Sequence, residues 1–273
     1  MKVWFITGTS KGFGRIWAEA ALSRGDKVVA TARSVSSLDG LVEKFGDSVL
    51  ALPLDVTDRK ACFEAVRKGH ERFGRLDVVV NNAGYGQFGA VEELSEKEAR
   101  DQIETNLFGA LWVTQAALPI LREQVSGHIL QVSSIGGITA FANIGMYHAS
   151  KWALEGISQS LSLEVAGFGI KVTVIEPTGY STDWGGPSAK HAEPFSAYEP
   201  VRSAMAERWK DRKRGDPDAT APVILKLVDM ENPPLRIFLG SGTVEMAHAE
   251  YSKRLEEWDA YKSLSDAAQG LLP

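Results

Sequence analysis

Seven short apolar runs recur along the chain, separated by segments with the spacing of helices. The runs are Val3–Ile6, Lys27–Ala32, Val49–Pro53, Val78–Asn81, His128–Val132, Lys171–Glu176 and Arg236–Leu239. They are rich in valine, isoleucine and leucine and show little polar alternation, the pattern of strands buried on both faces. Between them lie Gly14–Arg24, Val35–Phe45, Arg59–Phe73, Glu96–Arg122, Tyr147–Ala166 and Pro217–Met230, each long enough for a helix. Such alternation predicts an α/β fold with a parallel sheet and helices on both faces. Right-handed crossovers make a doubly wound, seven-stranded Rossmann-type sheet the leading topology.

The rhythm breaks once, between Gly179 and Asp216. This stretch holds Gly185-Gly186-Pro187, Pro194, Pro200 and the basic run Arg208 to Arg214. Nearly forty residues without a clear strand predict a lid or an inserted helix pair over residues 179–216, within one domain spanning 1–273. The basic run reads as a solvated helix face, with phosphate binding as the alternative. Residues 242–273 read as a helix, Val244–Tyr261, and a polar-rich tail.

Composition narrows the function classes. A chain of 273 residues, 44% hydrophobic and 24% charged, has ample core for a soluble globular protein. A net charge of -5 argues against a nucleic-acid binder, which needs a basic face. The single cysteine, Cys62, leaves no internal disulfide and fits a reducing compartment. The apolar start is too short for a signal-peptide core, and no run is long enough for a membrane helix, so a cytoplasmic location is expected. His128 and His148 read as packing or surface residues, and no metal-ligand spacing is present.

Two short motifs carry candidate chemistry. The first run leads into Thr7-Gly8-Thr9-Ser10-Lys11-Gly12-Phe13-Gly14, ahead of a helix. Glycines there allow a tight turn and close approach to a pyrophosphate, while the helix N-terminus presents amide donors. Further on, Tyr147 and Lys151 stand four residues apart, on one face of a helix. A nearby ammonium favours phenolate over phenol, so this pair predicts a tyrosine able to exchange a proton near neutral pH.

The spacing Thr-Gly-x-x-x-Gly-x-Gly resembles that of the short-chain dehydrogenase/reductase family. Further marks follow in the family's order: Asp55-Val56 after the third strand, and Asn81-Asn82-Ala83-Gly84 at the end of the fourth. Asn106 lies in the long helix, Ser133-Ser134 closes the fifth strand, then come Tyr147, Lys151, Pro177 and Thr182. The resemblance is dense over residues 1 to about 183. It implies Asp55 near the adenine and Asn82, Ala83 and Gly84 against the cofactor. It also implies that Lys151 binds the nicotinamide ribose, Thr182 the carboxamide, and Asn106 a water relaying protons to the lysine. The serine–tyrosine separation points to Ser134, which donates to the substrate oxygen, while Ser133 faces the other way. Tyr147 is then the proton donor in reduction and acceptor in oxidation. Where the family often has Pro-Gly, this chain has Pro177-Thr178-Gly179, which brings a side chain toward the nicotinamide. Family members commonly form homodimers or homotetramers through the long helices, and the same is expected here.

Cofactor choice is read at the end of the second strand, where NAD enzymes place an acid on the ribose 2'-hydroxyl. Here Ala32 takes that position, followed by Arg33 and Ser34, which together with Lys11 can meet a 2'-phosphate. NADP(H) is therefore expected. Phe141, Ile144, Tyr180, Trp184, Phe195 and Tyr198 are candidate walls for an apolar or aromatic carbonyl or secondary alcohol. The competing readings are an epimerase or dehydratase on the same scaffold, and an NADPH-binding redox sensor without turnover.

Overall fold

The structure, a computed structural model, describes residues 1–186 and 188–270. Pro187 of the expected lid and residues 271–273 of the expected tail lie outside the described residues. Seven strands make the main sheet: β1 (Val3–Ile6), β2 (Lys27–Ala32), β3 (Val49–Pro53), β4 (Val78–Asn81), β5 (Gly127–Val132), β6 (Ile170–Pro177) and β7 (Arg236–Leu239). They form one sheet in the order β3-β2-β1-β4-β5-β6-β7, parallel throughout. The helices that pack on it include α1 (Gly12–Ser23), α2 (Asp39–Phe45), α3 (Arg59–Phe73), α4 (Glu96–Ile103), α5 (Gly109–Gln124) and α6 (Gly145–Val165). After them come α7 (Glu199–Trp209), α8 (Thr220–Asp229), α9 (Thr243–Ala260) and α10 (Lys262–Ala268).

Strand alternation divides the core into two layers. Trp4 and Ile6 of β1 point into one layer with Trp17 and Ala21 of α1 and Ile224 and Leu227 of α8. Val3 and Phe5 point into the other, with Val66 of α3, Val113 and Leu121 of α5 and Leu161 of α6. Both faces of the sheet are thus covered, which is why the strands lack polar alternation. The two buried indoles keep their N–H groups satisfied: Trp4 donates to Asp26 at 2.9 Å and Trp17 to Thr220 at 2.8 Å.

Three predicted helices prove to be composite. Val35–Phe45 opens with a 3-10 turn before α2, and Pro217–Met230 does the same before α8. The run Glu96–Arg122 is interrupted by a π turn, Glu104–Phe108, between α4 and α5. Among its described residues, the segment expected as a lid or helix pair, 179–216, contains one α-helix, α7, two 3-10 turns, and a short strand, Lys190–His191, paired in parallel with Gln87–Phe88. The polar-rich C-terminal tail holds a further helix, α10. Among the described residues no helix is long and apolar enough to cross a membrane.

Candidate active site

Strand order reverses at β1, whose neighbours β2 and β4 lead in opposite directions across the sheet. A crevice opens there beyond the carboxyl ends of the strands, where α/β folds bind ligands. It widens into a cleft of about 1300 Å³ whose walls include Gly8, Ser10, Lys11, Gly12, Phe13, Ala32, Arg33, Asp55, Val56, Ala83 and Gly84.

The glycine loop is shaped by close contacts. Gly8 adopts φ +70°, a left-handed conformation that glycine accepts freely. A Cβ on Gly14 would lie 2.4 Å from the Gly8 carbonyl oxygen and 2.5 Å from Asn82 Nδ2, so only glycine lets α1 come this near. Asn82 braces the same turn, donating from Nδ2 to the Thr7 and Gly8 carbonyls at 2.9 and 3.0 Å. Thr7 Oγ1 accepts in turn from the Asn82 and Ala83 amides at 3.0 and 2.9 Å. α1 begins at Gly12 without a side-chain cap, which leaves its first amides for a ligand anion.

The other predicted cofactor residues occupy distinct places. Ala32 and Arg33 line the cleft with no acid at the end of β2. Lys11 reaches Asp183 across the cleft mouth at 3.1 Å. Asp55 accepts from the Thr57 amide and hydroxyl, at 3.0 and 2.8 Å. Ser34 turns its hydroxyl to Ser36, 2.9 Å away on the exposed surface. Pro177 ends β6, and Thr178, Gly179 and Thr182 follow it along the opposite wall, with the Thr182 hydroxyl accepting from the Trp184 amide at 3.4 Å.

At the other end of the cleft, Tyr147 and Lys151 share the inner face of α6, each 6% exposed. The Lys151 ammonium donates to the Val132 carbonyl at 2.7 Å and lies 5.8 Å from the centre of the Tyr147 ring. Ser134 follows β5 and accepts the Gly136 amide at 2.9 Å. Ser133 faces away, toward Gly137 and Glu155, as strand alternation predicts. Burial pushes the Tyr147 phenol up to about 12, with the Ser134 hydroxyl pulling the other way. Burial also draws the Lys151 ammonium down to about 8 against the opposing charge of Glu155. Desolvation thus dominates the phenol and holds its proton on, opposite to the acidification expected from the pair.

Asn106 sits in the π turn, 2% exposed. Its amide donates to the Tyr85 carbonyl at 3.0 Å and to Ser150 at 3.1 Å, and accepts from the Tyr85 amide at 3.1 Å. The side chain therefore ties the loop after β4 to α6 one residue from Lys151. π turns inside helices are frequent at functional positions.

Of the predicted substrate walls, Phe141, Ile144, Tyr180 and Trp184 line the cleft, and the Trp184 ring lies 4.8 Å from that of Tyr147. Phe195 and Tyr198 do not line it: the Tyr198 hydroxyl donates to Glu92 at 2.6 Å, and Phe195 offers its backbone to Glu93 and Arg202. Glu93 is a residue that sequence reasoning passed over. It accepts from the Ala90 and Phe195 amides and from Arg202, anchoring residues 195–202 to the body of the fold.

His148 was also underestimated. It is buried, as a packing histidine would be, but both ring nitrogens are engaged. Nε2 accepts the Phe141 amide at 2.8 Å and Nδ1 lies 2.7 Å from the Gly136 carbonyl. An amide can only donate and a carbonyl only accept, so the ring is neutral with its proton on Nδ1. Burial lowers its pKa, which favours that neutral form. His148 thus clasps two points, Gly136 and Phe141, of the loop that leads from Ser134 to Tyr147. Its partners lie on a loop whose path the sequence does not reveal.

A nucleotide crevice at the sheet's switch point, joined to a buried tyrosine–lysine pair, defines a Rossmann-type oxidoreductase. The chain belongs to the short chain dehydrogenase family, whose model matches residues 2–193. It is 46% identical over 250 residues to an oxidoreductase of Botryotinia fuckeliana, covering 90% of this chain and 91% of that one. A short-chain dehydrogenase from Streptomyces avermitilis superposes with a TM-score of 0.92 at 39% identity, covering 98% of this chain and 100% of that one. An alcohol dehydrogenase from the archaeon Thermococcus sibiricus, complexed with 5-hydroxy-NADP, gives a TM-score of 0.75 at 30% identity, covering 89% and 97%.

Proposed function

We propose that the protein is an NADP(H)-dependent oxidoreductase that interconverts a carbonyl compound and the corresponding alcohol. The observation that carries this reading is the burial of Tyr147 and Lys151 on one cleft wall, across from the glycine loop. The loop, the open α1 N-terminus and the cleft suit a dinucleotide. The cofactor, when bound, supplies or accepts the hydride. The first amides of α1 and the backbone of Gly8, Ser10 and Gly12 would hold its pyrophosphate. Arg33 would meet the 2'-phosphate, and Ala32 leaves room where an aspartate would repel it. The NADP derivative held by the Thermococcus sibiricus relative supports this choice.

In reduction, Ser134 donates a hydrogen bond to the substrate oxygen and Tyr147 delivers the proton that the developing alkoxide needs. Lys151, pinned by the Val132 carbonyl, stabilises the phenolate left behind. Phe141, Ile144, Tyr180 and Trp184 surround an apolar or aromatic body. Residues 179–216 act as a lid that excludes water from these transfers.

The test is NADPH oxidation with a panel of aromatic and aliphatic carbonyls. Tyr147→Phe should lower turnover about 10²- to 10⁴-fold, the usual contribution of a positioned proton donor, while NADPH still binds. Turnover that survives this change removes the proton-transfer role. NADPH binding with no turnover of any carbonyl points to a sensor.

A further inference from the structure

We propose that Arg212 is an anion-recognition point in the cleft, so that the physiological substrate pairs an apolar or aromatic body with a carboxylate or phosphate group. The inference rests on the reductase reading in that it assigns the substrate of the same cleft.

Arg212 follows α7 and lines the cleft. Its Nη2 donates to Thr178 Oγ1 at 2.8 Å, and its guanidinium lies 4.5 Å from the centre of the Trp209 ring. Those two contacts fix the plane of the guanidinium without neutralising it. Lys11, Lys190 and Arg202 of the cleft wall are paired with Asp183, Asp101 and Glu93. Arg33, Lys213 and Arg214 line the cleft without an ion pair among the described residues, but only Arg212 is held by Thr178 and stacked on Trp209. Arg212 has no carboxylate partner among the described residues. The nearby Arg208 adds to its positive surroundings, and burial and that charge together lower its pKa. An arginine stays charged at any working pH, and its remaining donors form a planar fork that matches carboxylate and phosphate oxygens.

The position suits a substrate. Thr178 directly follows the last residue of β6, and Ser134 lies just beyond β5. The two strands are hydrogen-bonded neighbours, with Val132 opposite Ile175 and the Ser133 amide donating to the Ile175 carbonyl at 2.8 Å. Arg212 therefore reaches over the strand next to the one that presents Ser134. Trp209, on which it stacks, packs edge-on against Phe141 at 5.2 Å, and Phe141 is held by His148 beside Tyr147. A ring bounded by Phe141 and Trp209 would carry its anionic group toward Arg212 and its oxygen toward Ser134 and Tyr147. Thr178 itself takes on a role: where glycine is common in the family, its hydroxyl orients the guanidinium.

The experiment compares wild type with Arg212→Ala and Arg212→Lys. The turnover probes are 4-carboxybenzaldehyde and its methyl ester, with NADPH. The binding probes are 4-(hydroxymethyl)benzoate and its methyl ester, titrated calorimetrically into NADPH-loaded protein, where no turnover occurs. NADPH affinity is measured alongside by fluorescence. Wild type should prefer the acid in both formats. Arg212→Ala should reduce the acid-to-ester ratio about tenfold or more, the scale of a lost charged hydrogen bond, and lysine should restore part of it. Equal losses for acid and ester would reduce Arg212 to a latch on Thr178 and overturn the proposal. So would weakened NADPH binding with an unchanged ratio, which would assign the guanidinium to the cofactor's phosphates. An Arg212-dependent preference in binding without any turnover would uphold the proposal and overturn the reductase reading. Turnover without any acid preference would do the reverse.

Discussion

The Lys151 ammonium donates to the Val132 carbonyl oxygen at 2.7 Å, pinning α6 to the end of β5 immediately before Ser133 and Ser134. This contact sets the lysine's position without a ligand, but it also directs one of its hydrogens away from Tyr147. With burial pushing the phenol up to about 12, Tyr147 needs a second positive charge to release its proton near neutrality. Ultraviolet titration of tyrosinate, wild type against Tyr147→Phe, should show Tyr147 protonated through pH 10 without cofactor. NADP⁺ should shift its ionisation to lower pH. A Tyr147 that titrates near 7 in the free protein would contradict this division of labour.

Cofactor preference should turn on the end of β2. Ala32→Asp places a carboxylate where the 2'-phosphate is expected and offers an acceptor to a 2'-hydroxyl. The ratio of kcat/KM values for NADPH over NADH should fall by about tenfold or more, as for the loss of a charged hydrogen bond. An unchanged ratio would move the phosphate site away from Arg33.

His148 should behave as a positioning residue. His148→Ala leaves the Phe141 amide and Gly136 carbonyl without partners, each costing about 1–3 kcal/mol if it stays buried. Both Tm and kcat should fall. His148→Gln carries a donor and an acceptor about as far apart as the two ring nitrogens, so it should recover most of both. If glutamine is as damaging as alanine, the clasp is not what matters.

A buried acid behind the site gives a pH signature. Glu176 is fully buried beside Glu155 and Arg236, and both its oxygens lack a hydrogen-bond donor. Burial first, and then the charge of Glu155, raise its pKa to about 9. A proton on Glu176, directed at Glu155, resolves the unpartnered oxygens. The folded chain thus holds a proton that the unfolded chain releases near 4.5. This contribution is complete below that pH and is lost as pH rises toward 9. Glu176→Gln keeps the donor without the ionisation. Its stability relative to wild type should rise steadily between pH 5 and pH 9, in denaturant melts at both pH values. A pH-independent difference would mean that Glu176 is charged throughout.

The parts of the molecule that repeat on a fixed period were legible in the sequence. β1 to β4 begin and end where their apolar runs do, because both faces of a covered parallel sheet demand the same side chains. Ser134, Tyr147 and Lys151 meet because strand ends and helical spacing fix them locally. Long-range contacts were not legible. Arg212 read as part of a solvated basic face, and only the path of residues 179–216 brings it to Thr178. Ser34 read as a phosphate ligand, and nothing in the sequence indicated that its hydroxyl would lie 2.9 Å from that of Ser36. The helix Glu96–Arg122 read as continuous because apolar spacing does not distinguish a π turn from an α turn.

That turn has a consequence for how this stretch can vary. It places one residue more than a regular turn, so α4 and α5 stand out of phase by about 100°, the angle a single residue adds. Both phases are needed. Gln102 in α4 receives the Gln87 amide and returns a donor to the Tyr85 carbonyl, while α5 drives Val113, Ala117 and Leu121 into the core. A uniform α-helix with this sequence would lose one set or the other. Residue count between Gln102 and Val113 is therefore constrained as tightly as residue identity: a one-residue gap or insertion here would shear the loop after β4 away from α6, even with every functional side chain retained.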